Sequence, residues 1–142
     1  MCMAFGQLTA QKIAYKQYSL EDGLSEAEIR AVIQDKNGLM WIATRYGLNR
    51  FDGRYFRNYY TEDGLADNKL HSLLEDRNQQ LWIGSANGIS IREDDRFYTP
   101  SAFRALEDKI ISCMYEDVEG NIWIGTDGYG VYRWNPTNEE LV

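Results

Sequence analysis

Two groups of residues in this chain have the right types for chemistry. Glu62-Asp63 and Asp94-Asp95 are adjacent carboxylates and invite a glycoside-hydrolase reading, since that reaction needs an acid and a base flanking the scissile bond. Their spacing argues otherwise, because hydrolysis needs two carboxyls held across a cleft, whereas neighbouring acids in a turn face water. Glu21-Asp22 also recurs as Glu62-Asp63, which suits a turn better than a unique catalytic centre. No catalytic residue is assigned, and the chain is not expected to be an enzyme. The second group is Arg45, Tyr46, Asn87, Asp127 and Tyr129, each at the centre of a short loop. Aromatic, amide and carboxylate groups are suited to sugar hydroxyls, and the Arg45 guanidinium suits an acidic sugar. The competing reading makes them solvated loop residues.

Other chemistries have little material. His71 is the single histidine, and Cys2 and Cys113 are the two cysteines, too few for a disulfide framework. No metal site and no cofactor are expected. His71 reads as a partly exposed strand residue and the cysteines as free thiols. The formal charge of −7 disfavours nucleic acid or an anionic membrane surface as partner, since both call for a basic field. No run approaches the roughly 20 apolar residues of a spanning helix. Residues 1–11, MCMAFGQLTAQ, resemble the tail of a secretory signal, an apolar stretch ending in small residues. They lack its basic start, so a ragged N-terminus or a vector remnant stays an open alternative.

The elements that must position the loop residues follow from a repeat. Trp41, Trp82 and Trp123 recur every 41 residues, as do Asp35, Asp76 and Asp117, and Leu24, Leu65 and Leu106. Gly47 and Gly88 keep step, and a one-residue insertion delivers Gly130 in the third copy. A period of 40 to 45 residues points to propellers or helical arrays. Within each unit, short apolar-aromatic runs such as LMWIAT and LWIGS are followed, after a turn, by alternating GLNRFD and GISIRE, which read as hairpins. RYFRNYY and DRFYTP read as a further strand, rich in Phe and Tyr.

The segment before each Asp is ambiguous. Ser25 and Glu28 have capping-box spacing for a helix, whereas the third copy, KIISCMYED, is β-branched and aromatic. All copies must share one structure, so a strand is expected. The first unit then has strand A at Ile29–Gln34, B at Met40–Thr44, C at Leu48–Phe51 and D at Tyr55–Tyr59. Asp at the head of the A–B turn would accept backbone N–H bonds. Ala31, Ser72 and Cys113 share one position in strand A, where small side chains suit an innermost strand. The three tryptophans, although plausible sugar platforms, are expected to pack against the neighbouring blade. Such burial contributes several kcal/mol, from about 150–250 Å² per ring at ~25 cal/mol/Å².

The fold class is therefore all-β: three propeller blades of four antiparallel strands each, an incomplete propeller. Residues 12–23 form an outer closing strand with its crossover, 24–60 blade 1, 61–101 blade 2, and 102–142 blade 3 without its full outer strand. Propellers close with four to eight blades, so three units read as part of a larger array. Ile13 to Tyr18 aligns with strand D and has no A–C strands before it; it is expected to complete blade 3 of another copy, which would make the chain self-associate.

With LMWIATRYGLNRFDG, LWIGSANGISI and IWIGTDGYGVYRWN laid out, the chain resembles the two-component regulator propeller repeats, over nearly everything from Lys12 to Asn135. Gln34-Asp35, Gly38, Trp41-Ile42 and Gly47-Leu48 carry the pattern in the first copy; Ala43 replaces the usual Gly, and Gln79-Gln80 displaces the turn Gly in the second. The resemblance implies the periplasmic sensor region of a bacterial hybrid two-component system, with further blades, a membrane span and a histidine kinase outside this chain. It also implies an oligosaccharide ligand bound without transformation. The alternatives are a propeller scaffold for protein interaction or dimerisation, and a propeller-borne polysaccharide lyase or hydrolase.

Overall fold

A computed structural model describes Gly6, Ala10 and residues 12–142. The signal-like residues 1–11 lie almost wholly outside the described residues, as does Cys2. Twelve strands form three four-stranded antiparallel sheets. The first holds β1 (Ile29–Gln34), β2 (Met40–Thr44), β3 (Gly47–Phe51) and β4 (Phe56–Tyr59). The second holds β5 (Leu70–Glu75), β6 (Leu81–Ser85), β7 (Gly88–Glu93) and β8 (Arg96–Tyr98). The third holds β9 (Ile111–Glu116), β10 (Ile122–Thr126), β11 (Val131–Asn135) and β12 (Glu140–Leu141). Strand order follows chain order in each, and β5 lies beside both β1 and β9. The first strands thus sit innermost and the sheets stack as three blades.

Two strand ends differ from the sequence reading. β3 begins at Gly47, whose left-handed backbone (φ 108°) already pairs with Thr44. β4 begins at Phe56, because the Tyr55 amide is taken by Asp52 Oδ1 in the turn (2.8 Å). The outer strand β12 is two residues long.

The segment before each Asp is a strand, and the helix alternative fails for a visible reason. Ser25 caps nothing: its N–H donates to Asn49 Oδ1 (2.8 Å), and the Asn49 amide donates to Ser25 Oγ (2.9 Å). This ties the crossover to β3. Ser90 does the same in blade 2, accepting the Ala66 amide at 2.7 Å. The recurring Glu-Asp-Gly motifs form short 3-10 turns, Leu20–Asp22 and Thr61–Asp63. Asp22 Oδ2 accepts the Ser19 N–H and Asp63 Oδ2 the Tyr60 N–H, both at 2.8 Å, which is the turn role expected of these acids. Asp94 and Asp95 form the β7–β8 turn with positive φ (48° and 62°), and Asp95 pairs with Arg92.

The core lies in two seams. Trp41, Leu48, Tyr59, Leu70, Ile83 and Phe97 fill the first, and Trp82, Ile89, Phe103, Leu106, Ile111 and Ile124 the second. Trp41 is fully buried, edge-on to Phe97 of blade 2 with ring centroids 6.5 Å apart. The expectation that all three indoles pack against a neighbouring blade needs correcting at Trp123, which is 39% exposed because no further sheet covers it among the described residues.

Small residues meet where blades crowd. Gly84 pairs with Ser72 and Gly125 with Cys113, and a Cβ on either glycine would overlap the facing side chain. In blade 1 the pair is Ala31 and Ala43, so Ala replaces Gly where its partner is smallest. Ser72 Oγ donates to Ile111 O across the seam (2.9 Å).

Candidate functional site

The five loop residues sit on one face, in the connections between the second and third strands of the blades. That face is held rigid by a repeated pair of backbone bonds. The amides of Arg45, Ala86 and Asp127 donate to Glu28 O, Lys69 O and Ile110 O, binding each loop to its own crossover (3.1, 2.9 and 3.0 Å). Gly47 N–H and Gly88 N–H reach onward to Asn68 O and Lys109 O of the next crossover (2.7 and 3.0 Å). A loop fixed on both sides can present side chains in defined positions.

The side chains divide into occupied and available. Asn87 Oδ1 accepts the Asp108 N–H at 2.7 Å and serves as a strut. Arg45 reaches Glu28 at 3.4 Å, and Glu28 also pairs with Arg30. Tyr46 is exposed, its ring 5.7 Å from that of Tyr60. Tyr129 is exposed too, with the Lys109 ammonium 5.1 Å from its ring centroid. Asn87 and Tyr129 therefore meet the same crossover segment, Asp108-Lys109, and Arg45 stands apart with Glu28.

A feature of the inner strands escaped the sequence reading. The β1–β2, β5–β6 and β9–β10 ladders each slip near their loop ends, at Arg30, His71 and Ser112. Such bulges re-aim a side chain. His71 is a half-buried strand residue, and its Nε2 is enclosed without a hydrogen-bond partner. Its pKa is held below the ordinary 6.5, first by desolvation and then by the Arg30 and Lys69 charges, with Asp127 and Asp67 opposing. The sequence signal was present, since Arg30, His71 and Ser112 share one repeat position, but nothing in the sequence marked a bulge. Among the described residues no group of three or more His, Cys, Asp or Glu could hold a metal.

On the opposite face, Asp35, Asp76 and Asp117 cap the turns as expected. Asp76 Oδ1 accepts the Asn78 and Gln80 amides (2.8 and 3.0 Å). The second oxygen does something the sequence reading did not foresee: it accepts the indole N–H of Trp82, and Asp35 and Asp117 likewise hold Trp41 and Trp123, each at 2.8 Å. The carboxylate fixes both the turn and the ring that fills the seam.

Comparisons with known proteins agree with this geometry. The model of the family described as "Two component regulator propeller" matches residues 23–46, 64–87 and 105–128, about half the chain. A histidine kinase, P4, of Formosa agariphila is 44% identical over 43 residues, 30% of this chain and 3% of the kinase. Among solved structures, an extracellular domain assigned to a hybrid two component system of B. thetaiotaomicron superposes with a TM-score of 0.81 at 24% identity. The match covers 89% of this chain and 19% of that one. A second, assigned to a one component system of the same organism, gives 0.70 at 20%, covering 81% and 16%. This chain thus spans a small part of the length of each, and the superpositions establish the fold. No described helix is long and apolar enough to cross a membrane. Three matched units, each with the aspartate-held tryptophan and the Gly-ended loop, place the chain in the two component regulator propeller family.

Proposed function

We propose that this chain is part of an extracytoplasmic, periplasmic-side sensor that binds an oligosaccharide without transforming it and signals to a histidine kinase outside the chain. The observation that carries the reading is the contrast within the repeat: the scaffold of Asp, Trp and Gly recurs, whereas the loop side chains differ from copy to copy. Blade 1 presents Arg45 and Tyr46, blade 2 Ala86 and Asn87, blade 3 Asp127 and Tyr129. A uniform frame carrying divergent loops suits recognition of an asymmetric ligand. Signalling then requires the ligand to bind two arrangements of the parent protein unequally. Calorimetric titration with an oligosaccharide panel tests the proposal; it fails if no saccharide binds to any array of blades that includes these three.

A second reading, a self-associating scaffold, is favoured by one observation. Ile13 and Tyr15 are exposed, and residues 12–19 form no strand pairing in the chain, although Tyr18 packs on Phe51 and Phe56 (centroids 4.9 and 5.7 Å). Blade 3 meanwhile exposes Tyr115, Trp123 and Val131. An unpaired segment and a blade whose outer strand is two residues long are the two halves of a blade-completing contact, and the uncovered face leaves room for a blade of the second copy. Light scattering at tens of micromolar protein is expected to show dimers or trimers, and a monomer there sinks this reading.

A further inference from the structure

The two seams between blades ought to be alike, and they are not. In the first, Arg92 of β7 lies with its guanidinium 4.8 Å from the Trp41 ring centroid, while Phe97, its partner across the ladder, closes the remaining space. In the second, the ladder places Trp134 opposite Leu141 at the equivalent position. Trp134 stands edge-on to Phe103 at 5.0 Å, and Phe103 in turn lies 5.4 Å from Trp82. The turn that follows also differs. Blade 2 turns on Asp94-Asp95, whereas blade 3 takes the longer path from Pro136 to Glu139. The second seam consequently stays open as a cleft of about 420 Å³, with Tyr98 and Pro100 on the blade 2 side and Trp134, Pro136 and Glu139 on the blade 3 side. A cavity of about 190 Å³ shares its inner residues Gln80, Trp82 and Trp134.

We propose that this seam is a binding cleft for a neutral saccharide, formed by none of the five loop residues. The proposal rests on the carbohydrate-sensing reading and supplies a ligand class and a location for it. A pyranose ring has apolar C–H faces and a rim of hydroxyls. Flat walls of tryptophan, tyrosine and proline receive such a face, as aromatic rings and apolar C–H surface stack well. A few placed polar groups must then meet the rim. Gln80 and Tyr98, which line the cleft, provide them, and both are oriented from behind by Glu93, whose two oxygens accept from Gln80 Nε2 (3.0 Å) and the Tyr98 hydroxyl (3.1 Å). Glu139 provides another from the overhanging turn. Carboxylates accept hydroxyl hydrogens well but repel a uronate or sulfate. The charge of Glu139 on the cleft wall, with Glu93 behind Gln80 and Tyr98, therefore selects a neutral sugar, unlike Arg45.

The test titrates the 142-residue chain with neutral oligosaccharides of glucose, xylose and mannose and with oligogalacturonate, by calorimetry. Tyr98→Ala and Trp134→Leu are compared with Tyr46→Ala and Tyr129→Ala on the loop face and with Tyr55→Ala, an exposed residue of the β3–β4 turn outside both places, and circular dichroism confirms folding. Tyr98→Phe, which keeps the ring but drops the bond to Glu93, is the gentler variant should Trp134→Leu fail to fold. Neutral sugars are expected to bind, about tenfold more weakly to Tyr98→Ala and unchanged in Tyr55→Ala. Stronger binding of oligogalacturonate, or indifference to Tyr98→Ala, overturns the cleft. Loss of binding through the loop variants alone overturns the cleft and leaves carbohydrate sensing standing. Failure of every saccharide to bind overturns the cleft and counts against the sensing proposal, whose own test extends to a larger array.

Discussion

An aspartate that serves a turn and an indole together is vulnerable to a substitution that looks mild. Asp76→Asn keeps size and one carbonyl oxygen, but its amide then faces either the Trp82 N–H or the turn amides, donor against donor. Both Asp76 and Trp82 are buried, so a lost charge-assisted bond there is expected to cost about 2 kcal/mol in a urea melt. Asp117 is the less enclosed counterpart and offers a pH test. Its pKa is lowered from 3.8 to about 2, first by the Trp123 indole bond and then by the Asn121 and Glu119 hydrogen bonds. A carboxylate depressed on folding contributes stability that is complete above its ordinary value and disappears as pH falls through the folded one. Denaturation midpoints should therefore drop between pH 3.8 and about 2, and Trp123→Phe should flatten that drop. An unchanged slope in the variant would remove the indole from the account.

At the scale of elements, blades are fastened by a carboxylate reaching back to the preceding turn. Glu75 accepts the Lys36 N–H (3.1 Å), and Glu116 accepts the Arg77 N–H (2.9 Å) as well as its guanidinium. Glu116→Ala should cost about 1 kcal/mol, the scale of a partly exposed pair, with Arg77→Ala adding little to it in a double-mutant cycle. Much at this scale was legible from the sequence. The period set the strand cores, because β-branched and aromatic runs recurred between turns at one spacing, and Asp as a turn head followed from its acceptor chemistry. Ser25 misled as a possible helix cap because its partner, Asn49, lies two strands away. The clamps were spelled out in the repeat as Glu75 and Glu116 beside Lys36 and Arg77, yet nothing local said that the carboxylate serves its neighbour's turn. The aromatic cleft was harder still: Trp134 replaces Arg92 only once the inserted residue is allowed for, and its meaning depends on Phe103, from a crossover whose other copies carry Glu21 and Glu62.

For the whole molecule, burial of a tryptophan belongs to the seam and not to the residue. Trp41 and Trp82 are enclosed, whereas Trp123, in the same register and with the same aspartate bond, is not. In stacked repeats, stability is a sum of unit and interface terms. Trp82→Phe is therefore expected to lower the melting temperature more than Trp123→Phe at neutral pH. Equal losses would mean that the third indole is covered in solution, as by a second copy.

The clamp also gives the stack a direction. Each turn is finished by a carboxylate from the blade after it, so a unit is incomplete until its successor folds against it. Val118 occupies the place of Lys36 and Arg77 in the β9–β10 turn, and among the described residues no glutamate accepts its amide. In deuterium, the amides of Lys36 and Arg77 should exchange slowly and that of Val118 fast, so that loosening starts at the third blade and travels backwards.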